Sequence, residues 1–251
     1  MWEFYDELIE GIDPLATADR IISGGKNCFV RSGDTAGTSA SFDQTWRQPI
    51  LARKEIGMPL RDLAVCVKSW DYQEAALGLA AINAWYNGIE KARALGLDIP
   101  DRLHTEDRSQ DPFIQLQRDI AGKKVTVVGH FPYIDQLFGP ICDLAVIEKF
   151  LPKDGDYPEQ AAEYLLPDSD YVFISSYTLV EKVFPHYLEL AKNAVVIAVG
   201  AGTPITPILH SYGVDYIAGF VLKDIEAAER VALGLGGSMH GVGQKINLKR
   251  A

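Results

Sequence analysis

Chemistry in this chain is easiest to place at the run Lys123-Lys124-Val125-Thr126-Val127-Val128-Gly129-His130-Phe131-Pro132. An imidazole such as His130 can carry a proton or ligate a metal near neutral pH. About twenty positions after Gly129 stands Glu148, a carboxylate suited to hydroxyls or to a metal. Two runs further on, Ser175-Ser176-Tyr177-Thr178 and Gly200-Ala201-Gly202-Thr203-Pro204, are rich in hydroxyls and glycine. Such turns expose N–H and O–H donors, and donors beside the positive end of a helix dipole attract phosphate or carboxylate. The candidate ligand-contacting set is therefore Gly129, Phe131, Pro132, Glu148, Ser175, Ser176, Thr178, Gly200, Gly202 and Thr203. His130 is the candidate catalytic group, and His130 with Glu148 the candidate metal ligands. From the first half, Asn83 and Lys68 are candidates to close the site. Either could instead make an ordinary structural bond.

Several chemistries fit less well. A dinucleotide site needs Gly-x-Gly-x-x-Gly, and here Gly129-His130-Phe131-Pro132 stands in its place. Phe131 and Pro132 would crowd a pyrophosphate held in the usual way, although a nucleoside-containing ligand held differently stays open. No histidine or cysteine pair has a standard zinc spacing. Ser175 and Ser176 lack the Gly-x-Ser-x-Gly elbow of a hydrolase, and no His–Asp partner can be assigned to them.

The elements that must position these residues follow from apolar patterning. Val125 to Val128 is a short strand buried on both faces. It stops at Gly129, where a turn needs a residue without Cβ, and Pro132 suits a first helical turn. Further strands are expected at Leu144–Ile147, Tyr171–Ile174, Val195–Val199 and Tyr216–Ala218. Helices are expected at Tyr133–Phe138, Pro158–Leu165, Leu179–Ala191, Pro204–Ser211 and Asp224–Leu235, with a last edge strand at Gln244–Leu248. Strands alternating with helices predict a parallel sheet with crossovers, whose ligands bind at the carboxyl ends of the strands. Thr178 with Glu181 reads as a capping box, and Thr203 as a helix cap with Pro204 in the first turn.

The first half reads differently. Residues 2–10 form a short helix. Three glycine-punctuated segments, Ile21 to Ser23, Cys28 to Val30 and Thr35 to Phe42, form an antiparallel meander with a hairpin turn at Gly24-Gly25-Lys26-Asn27. A helix is expected from Pro59 to Val67. Asp71-Tyr72-Gln73-Glu74 resembles a capping box opening a helix of small residues from Ala75 to Trp85, apolar all round and so buried. Asp98 to Pro112 is a connecting loop, and Phe113 to Ile120 a short crossing helix. This gives two domains, 1–110 and 111–251.

At 251 residues the chain can form one large domain or two ordinary ones, and 47% hydrophobic residues suffice for packed cores. A net charge of −10 argues against a nucleic-acid surface. Cys28, Cys66 and Cys142 are scattered, which suits reduced thiols in the cytoplasm. The acidic start lacks a signal peptide's basic region, and no run reaches the roughly 18 apolar residues of a spanning helix. The expected partner is a small molecule or a metal ion rather than nucleic acid or a membrane, and an oligomer is compatible with all of this.

Gly129-His130-Phe131-Pro132, the Asp168 to Thr178 segment, Gly200 to Pro204, Gly213-Val214-Asp215 and Ala218-Gly219 together resemble a prokaryotic family named for "putative heavy-metal chelation". Glu74 to Ala84 resembles that family's usual partner, an enolase-like amino-terminal domain. The resemblance covers nearly the whole chain. It implies an α/β protein: an enolase-like α+β domain, then a Rossmann-like, mainly parallel, doubly wound sheet, with a site between them. Relatives often have Gly-Pro-Ser or Gly-Pro-Gly where this chain has Gly200-Ala201-Gly202, which keeps the turn glycines. Enolase chemistry does not carry over, because the barrel with its metal carboxylates is missing. Two functions remain in play, beside a third reading as an interaction scaffold whose loops merely cap helices. One is binding of a small anionic or metal-chelating ligand between the domains, with a transition metal as the candidate cofactor. The other is an enzyme using a nucleotide-like cofactor in the same cleft.

Overall fold

The computed structural model describes residues 2–23, 25–101, 108–149 and 152–251. The front half opens with helix α1 (Trp2–Glu10) and a meander of β1 (Arg20–Ile22), β2 (Asn27–Ser32) and β3 (Thr35–Ala40), antiparallel in that order. Gly24 of the expected hairpin turn lies outside the described residues. Then come α2 (Leu60–Ala64), a 3-10 turn over Val65–Lys68, α3 (Tyr72–Tyr86) and α4 (Ile89–Ala94). Asp71 caps α3, its carboxylate accepting the Glu74 N–H at 3.0 Å. The reciprocal half of a capping box is not made, because Glu74 accepts instead from the N–H groups of Ile50 and Leu51.

α3 is buried on nearly every side, as its small apolar residues require. Two glycines let backbones close on it. A Cβ on Gly37 of β3 would lie 2.1 Å from the Ala84 nitrogen, and one on Gly78 would lie 2.1 Å from the Val67 nitrogen.

The back half is α5 (Pro112–Gln115), β4 (Lys124–Val128), α6 (Ile134–Phe138), β5 (Asp143–Ile147), α7 (Ala162–Leu165), β6 (Tyr171–Ser175), α8 (Tyr177–Glu181), α9 (Phe184–Leu190), β7 (Val195–Val199), α10 (Ile208–Ser211), β8 (Tyr216–Ala218), β9 (Phe220–Leu222), α11 (Ile225–Ala232), β10 (Gly243–Lys245) and β11 (Leu248–Lys249). β4 to β8 are parallel in the order β8-β7-β6-β4-β5, and β11 closes the β8 edge antiparallel. Numbered within the sheet, this is the doubly wound order 2-1-3-4-5, whose switch point falls between its first and third strands, here β4 and β6. β9 and β10 pair as a separate ribbon.

Side chains alternate between two cores. Val125, Val127, Phe173, Ile197 and Ala218 face a cluster with Phe113 and Phe138. Val128, Ile174, Val196, Ala198 and Ile217 face a larger cluster continuous with α1, α2 and α3. No helix among the described residues is long and apolar enough to cross a membrane.

Several expected elements differ, and the crossing helix expected over Phe113–Ile120 forms only as α5, Pro112–Gln115. The helix expected over Leu179–Ala191 is two, α8 and α9, split at Lys182, whose φ of 65° is left-handed. Pro185 is the cause: it has no N–H for the Glu181 carbonyl, and its ring would clash there. The helix expected from Pro204 forms only over Ile208–Ser211. The Asn87 side chain claims the intervening backbone, donating to Thr203 O at 3.0 Å and accepting from the Ile205 N–H at 2.8 Å. The last segment is not one edge strand but β10 and β11, which serve different sheets. Much of the expected loop Asp98–Pro112 falls on 102–107, outside the described residues.

Candidate functional site

The turns after the parallel strands meet in one cleft of about 730 Å³. β4 contributes Gly129 to Tyr133, β5 Glu148, β6 Ser175 to Tyr177, β7 Gly200 to Gly202, and β8 Gly219. The front half adds Asn27 and Ala40 to the wall.

Glycine against serine sets the edge where these turns meet. Gly129 has φ 98°, and a Cβ there would lie 2.9 Å from Ser175 Cβ. Gly200 has φ 136°, and its Cβ would lie 2.5 Å from Ser176 Oγ. Both are conformations that L side chains resist, so glycine answers geometry and space together. Among the described residues the N–H groups of Ala201 and Gly202 and the hydroxyl of Ser176 make no hydrogen bond, while Ser175 Oγ accepts the Tyr177 N–H at 3.4 Å.

His130 is held from both ring nitrogens, and its side chain is 4% exposed. Nδ1 faces the two carboxylate oxygens of Asp156 at 2.9 and 3.0 Å. Nε2 faces Lys153 Nζ at 2.5 Å, with Asp135 Oδ2 at 3.2 Å. An ammonium only donates, so the Lys153 contact favours a lone pair on Nε2 and an Nδ1 proton donated to Asp156, against the Asp135 carboxylate, which only accepts. Glu148 works through the backbone: Oε2 accepts the His130 N–H at 2.8 Å and Oε1 the Lys149 N–H at 2.9 Å.

This donor set does not fit a protein-only metal site. Asp156 and Asp135 sit at opposite nitrogens of one ring, and Glu148 meets His130 at its amide rather than its imidazole. Among the described residues no three His, Cys, Asp or Glu side chains are grouped to hold an ion.

The remaining sequence candidates lie around the cleft rather than in it. Asn83 donates to Thr38 O at 2.9 Å and Gly202 O at 3.0 Å, pinning the β7 turn to β3. Its Oδ1 and the Thr203 hydroxyl are buried and without partners among the described residues. Thr203 does not cap a helix, because the loop runs on to Pro207. Thr178 lies inside α8 rather than at its cap, donating to Ser175 O at 2.7 Å, and faces a small side pocket with Glu181. Lys68 points away, paired with Asp6 beside the Trp2 ring.

Sequence reading missed Asp156 and Lys153, and it missed Arg108, Asp111, Tyr133 and Lys245, which line the same cleft with His240. Asp111-Pro112 carries a readable signal, a cap followed by proline, and Asp111 Oδ1 does accept the Phe113 N–H at 3.1 Å. Burial, aided by Lys245, lowers the His240 imidazole below its ordinary range. Burial and the nearby Glu148 raise the Tyr177 phenol.

Residues 111–251 match the family DUF364 and residues 5–86 match DUF4213, both described as "Putative heavy-metal chelation". A crystal structure of a DUF364 protein of unknown function from Desulfitobacterium hafniense DCB-2 is 42% identical, covers 100% of this chain and 99% of that one, and superposes with a TM-score of 0.91. One from Pyrococcus horikoshii is 18% identical over 98% of each chain with a TM-score of 0.81, a likeness of fold. An uncharacterized protein of Methanocaldococcus jannaschii is 30% identical over 179 residues, 69% of this chain. The chain spans 64% of that relative's length. The chain belongs to the DUF364 family, the family described as "Putative heavy-metal chelation".

Proposed function

We propose that the protein binds a small anionic or metal-chelating ligand in the cleft along the carboxyl edge of its sheet. One observation carries this reading: the turns after all five parallel strands line a single cavity of about 730 Å³, within the size range of small-molecule sites. The Ser176 hydroxyl and the amides of Ala201 and Gly202 supply donors to the ligand's acceptor groups. His130 offers Nε2 as a proton carrier, or as one donor to a metal. Glu148 positions His130, and Asn83 positions the Gly202 turn. A metal enters with the ligand that chelates it, since the described residues provide no closed set of their own. Division at residue 110, with an enolase-like front part, belongs to this reading, as the cleft takes Asn27 and Ala40 from before that point.

A second reading, an enzyme with a nucleotide-like cofactor, is favoured by the strand order, because the β4/β6 switch point is where this topology holds nucleotides. Thermal melting with zinc citrate, citrate and adenosine monophosphate separates the two. The leading reading expects a rise with the chelate that His130→Ala reduces. A rise with the nucleotide alone favours the enzyme. No shift with any of the three overturns both.

A further inference from the structure

One wall of the cleft carries two cations on one carboxylate. Lys245 Nζ lies 2.7 Å and Arg108 Nη2 3.1 Å from the same oxygen, Oδ2, of Asp111. The Asp111 side chain is fully buried, and its other oxygen is committed to the Phe113 N–H at the start of α5. It is therefore a fixed anchor whose single charge cannot neutralise both partners. Tyr133 supports the pair from below: its ring lies 4.9 Å from the Arg108 guanidinium, and its hydroxyl 3.3 Å from Lys245 Nζ.

Among the described residues neither cation is spent. A guanidinium has five N–H donors in a planar fork matched to carboxylate and phosphate, and Asp111 takes one. Both side chains are a third to a half exposed, and both line the cleft. His240, on the same wall, is held below its ordinary pKa first by burial and then by Lys245, with Asp111 pulling the other way. A surface salt bridge would show neither the buried anchor nor the surplus cation.

We propose that Arg108 and Lys245 form an anion clamp that takes a carboxylate or phosphate group of the bound ligand, with Asp111 and Tyr133 holding the two cations in place. This rests on the cleft being the binding site and adds which wall receives the charge. The ligand class is then an organic acid or phosphate ester, its anionic group on the α5 wall and its remaining acceptors at the β7 turn.

Titration calorimetry on the full chain at low ionic strength tests this, with citrate and inorganic phosphate as separate probes, so that the better binder identifies the anion. Arg108→Gln and Lys245→Met are each expected to weaken binding at least about tenfold, and Lys245→Arg to stay within about threefold of wild type. High salt is expected to weaken wild-type binding, since such exposed charges are screened. Ala201→Trp puts bulk into the cleft at the β7 turn and is expected to abolish binding. Melting without probe checks that each variant is folded. If Arg108→Gln and Lys245→Met bind like wild type while Ala201→Trp does not, the clamp is wrong and the cleft stands. If Ala201→Trp binds like wild type while the cation variants do not, the anion sits outside the cleft and both readings fall. Failure of wild type to bind either probe overturns the clamp.

Discussion

Two regions use the same residue types to opposite ends. In the seam around α3, Gly37 lets β3 and Gly78 lets the Cys66–Val67 backbone close on the helix, and Lys182 lies buried at 2% exposure. Its ammonium donates to the carbonyls of Ser69 and Val180 and sits 4.9 Å from the Tyr72 ring and 5.3 Å from the Trp70 ring. In the cleft, Gly129 and Gly200 turn the chain back and leave a cavity in front, where Lys245 and Arg108 keep donors unspent among the described residues. Residue type does not separate structure from site. What separates them is whether neighbouring backbone has filled the space and taken the hydrogen bonds.

The strongest way to break this contrast is to put bulk into both kinds of glycine. Gly78→Val would drive carbon into the Cys66–Val67 backbone, which cannot move without losing the α3 packing. Overpacking and lost core contacts should together cost more than about 4 kcal/mol, seen as a melting point lower by roughly 10 °C or more, or as failure to fold. Gly200→Ala should cost about 1–3 kcal/mol, from φ 136° and the contact with Ser176, and should weaken ligand binding more than it lowers melting. Equal losses in both variants would erase the distinction.

The buried lysine sharpens it through pH. Burial holds Lys182 down to about 7, although Glu181, Glu74 and Asp71 pull it upward. In the unfolded chain it titrates near 10.4. Between those values the unfolded state binds more protons than the folded one, so stability should rise with pH. Between pH 7 and 9 the gain should be on the order of 2 kcal/mol. Chemical denaturation of wild type and Lys182→Met at pH 7, 8 and 9 measures it. The rise should disappear in the variant and persist in Lys245→Met, which removes an ammonium whose side chain is a third exposed. A rise of equal size in Lys182→Met would assign it to other groups.

What the sequence revealed divides along the same line. Strands β4 to β8 were legible because each is a short apolar run between turn residues. The turns at Gly129 and Gly200 were legible because a positive φ leaves its mark in residue type. His130 could be placed at a strand end for that reason. Its partners could not: Asp156 and Lys153 reach it from a loop more than twenty residues on, and no local pattern ties them to an imidazole. Lys245 is more than a hundred residues from Asp111, and Asn87 likewise from Thr203. Thr178 and Thr203 misled because capping residues mark a helix start only where the following backbone is free to be helical. At Thr203 the Asn87 amide had already taken that backbone. Lys68 misled because it lies close in sequence to α3 but on the side facing Asp6.

The smallest expected effect concerns the imidazole, which stands between the two regimes: nearly buried like Lys182, but at the cleft like Lys245. Asp156 takes the proton on Nδ1, so Nε2 is the nitrogen left for a ligand once Lys153 withdraws. In wild type, long-range proton–nitrogen NMR at pH 8 should show His130 as the Nδ1–H tautomer. Asp156→Ala removes that acceptor and the one for the Lys153 N–H, and should cost about 1 kcal/mol in stability while turning the ring into a mixture of tautomers. If the proton in wild type lies on Nε2 instead, Asp156 is not the orienting group. His130 would then belong with the saturated seam rather than with the open wall.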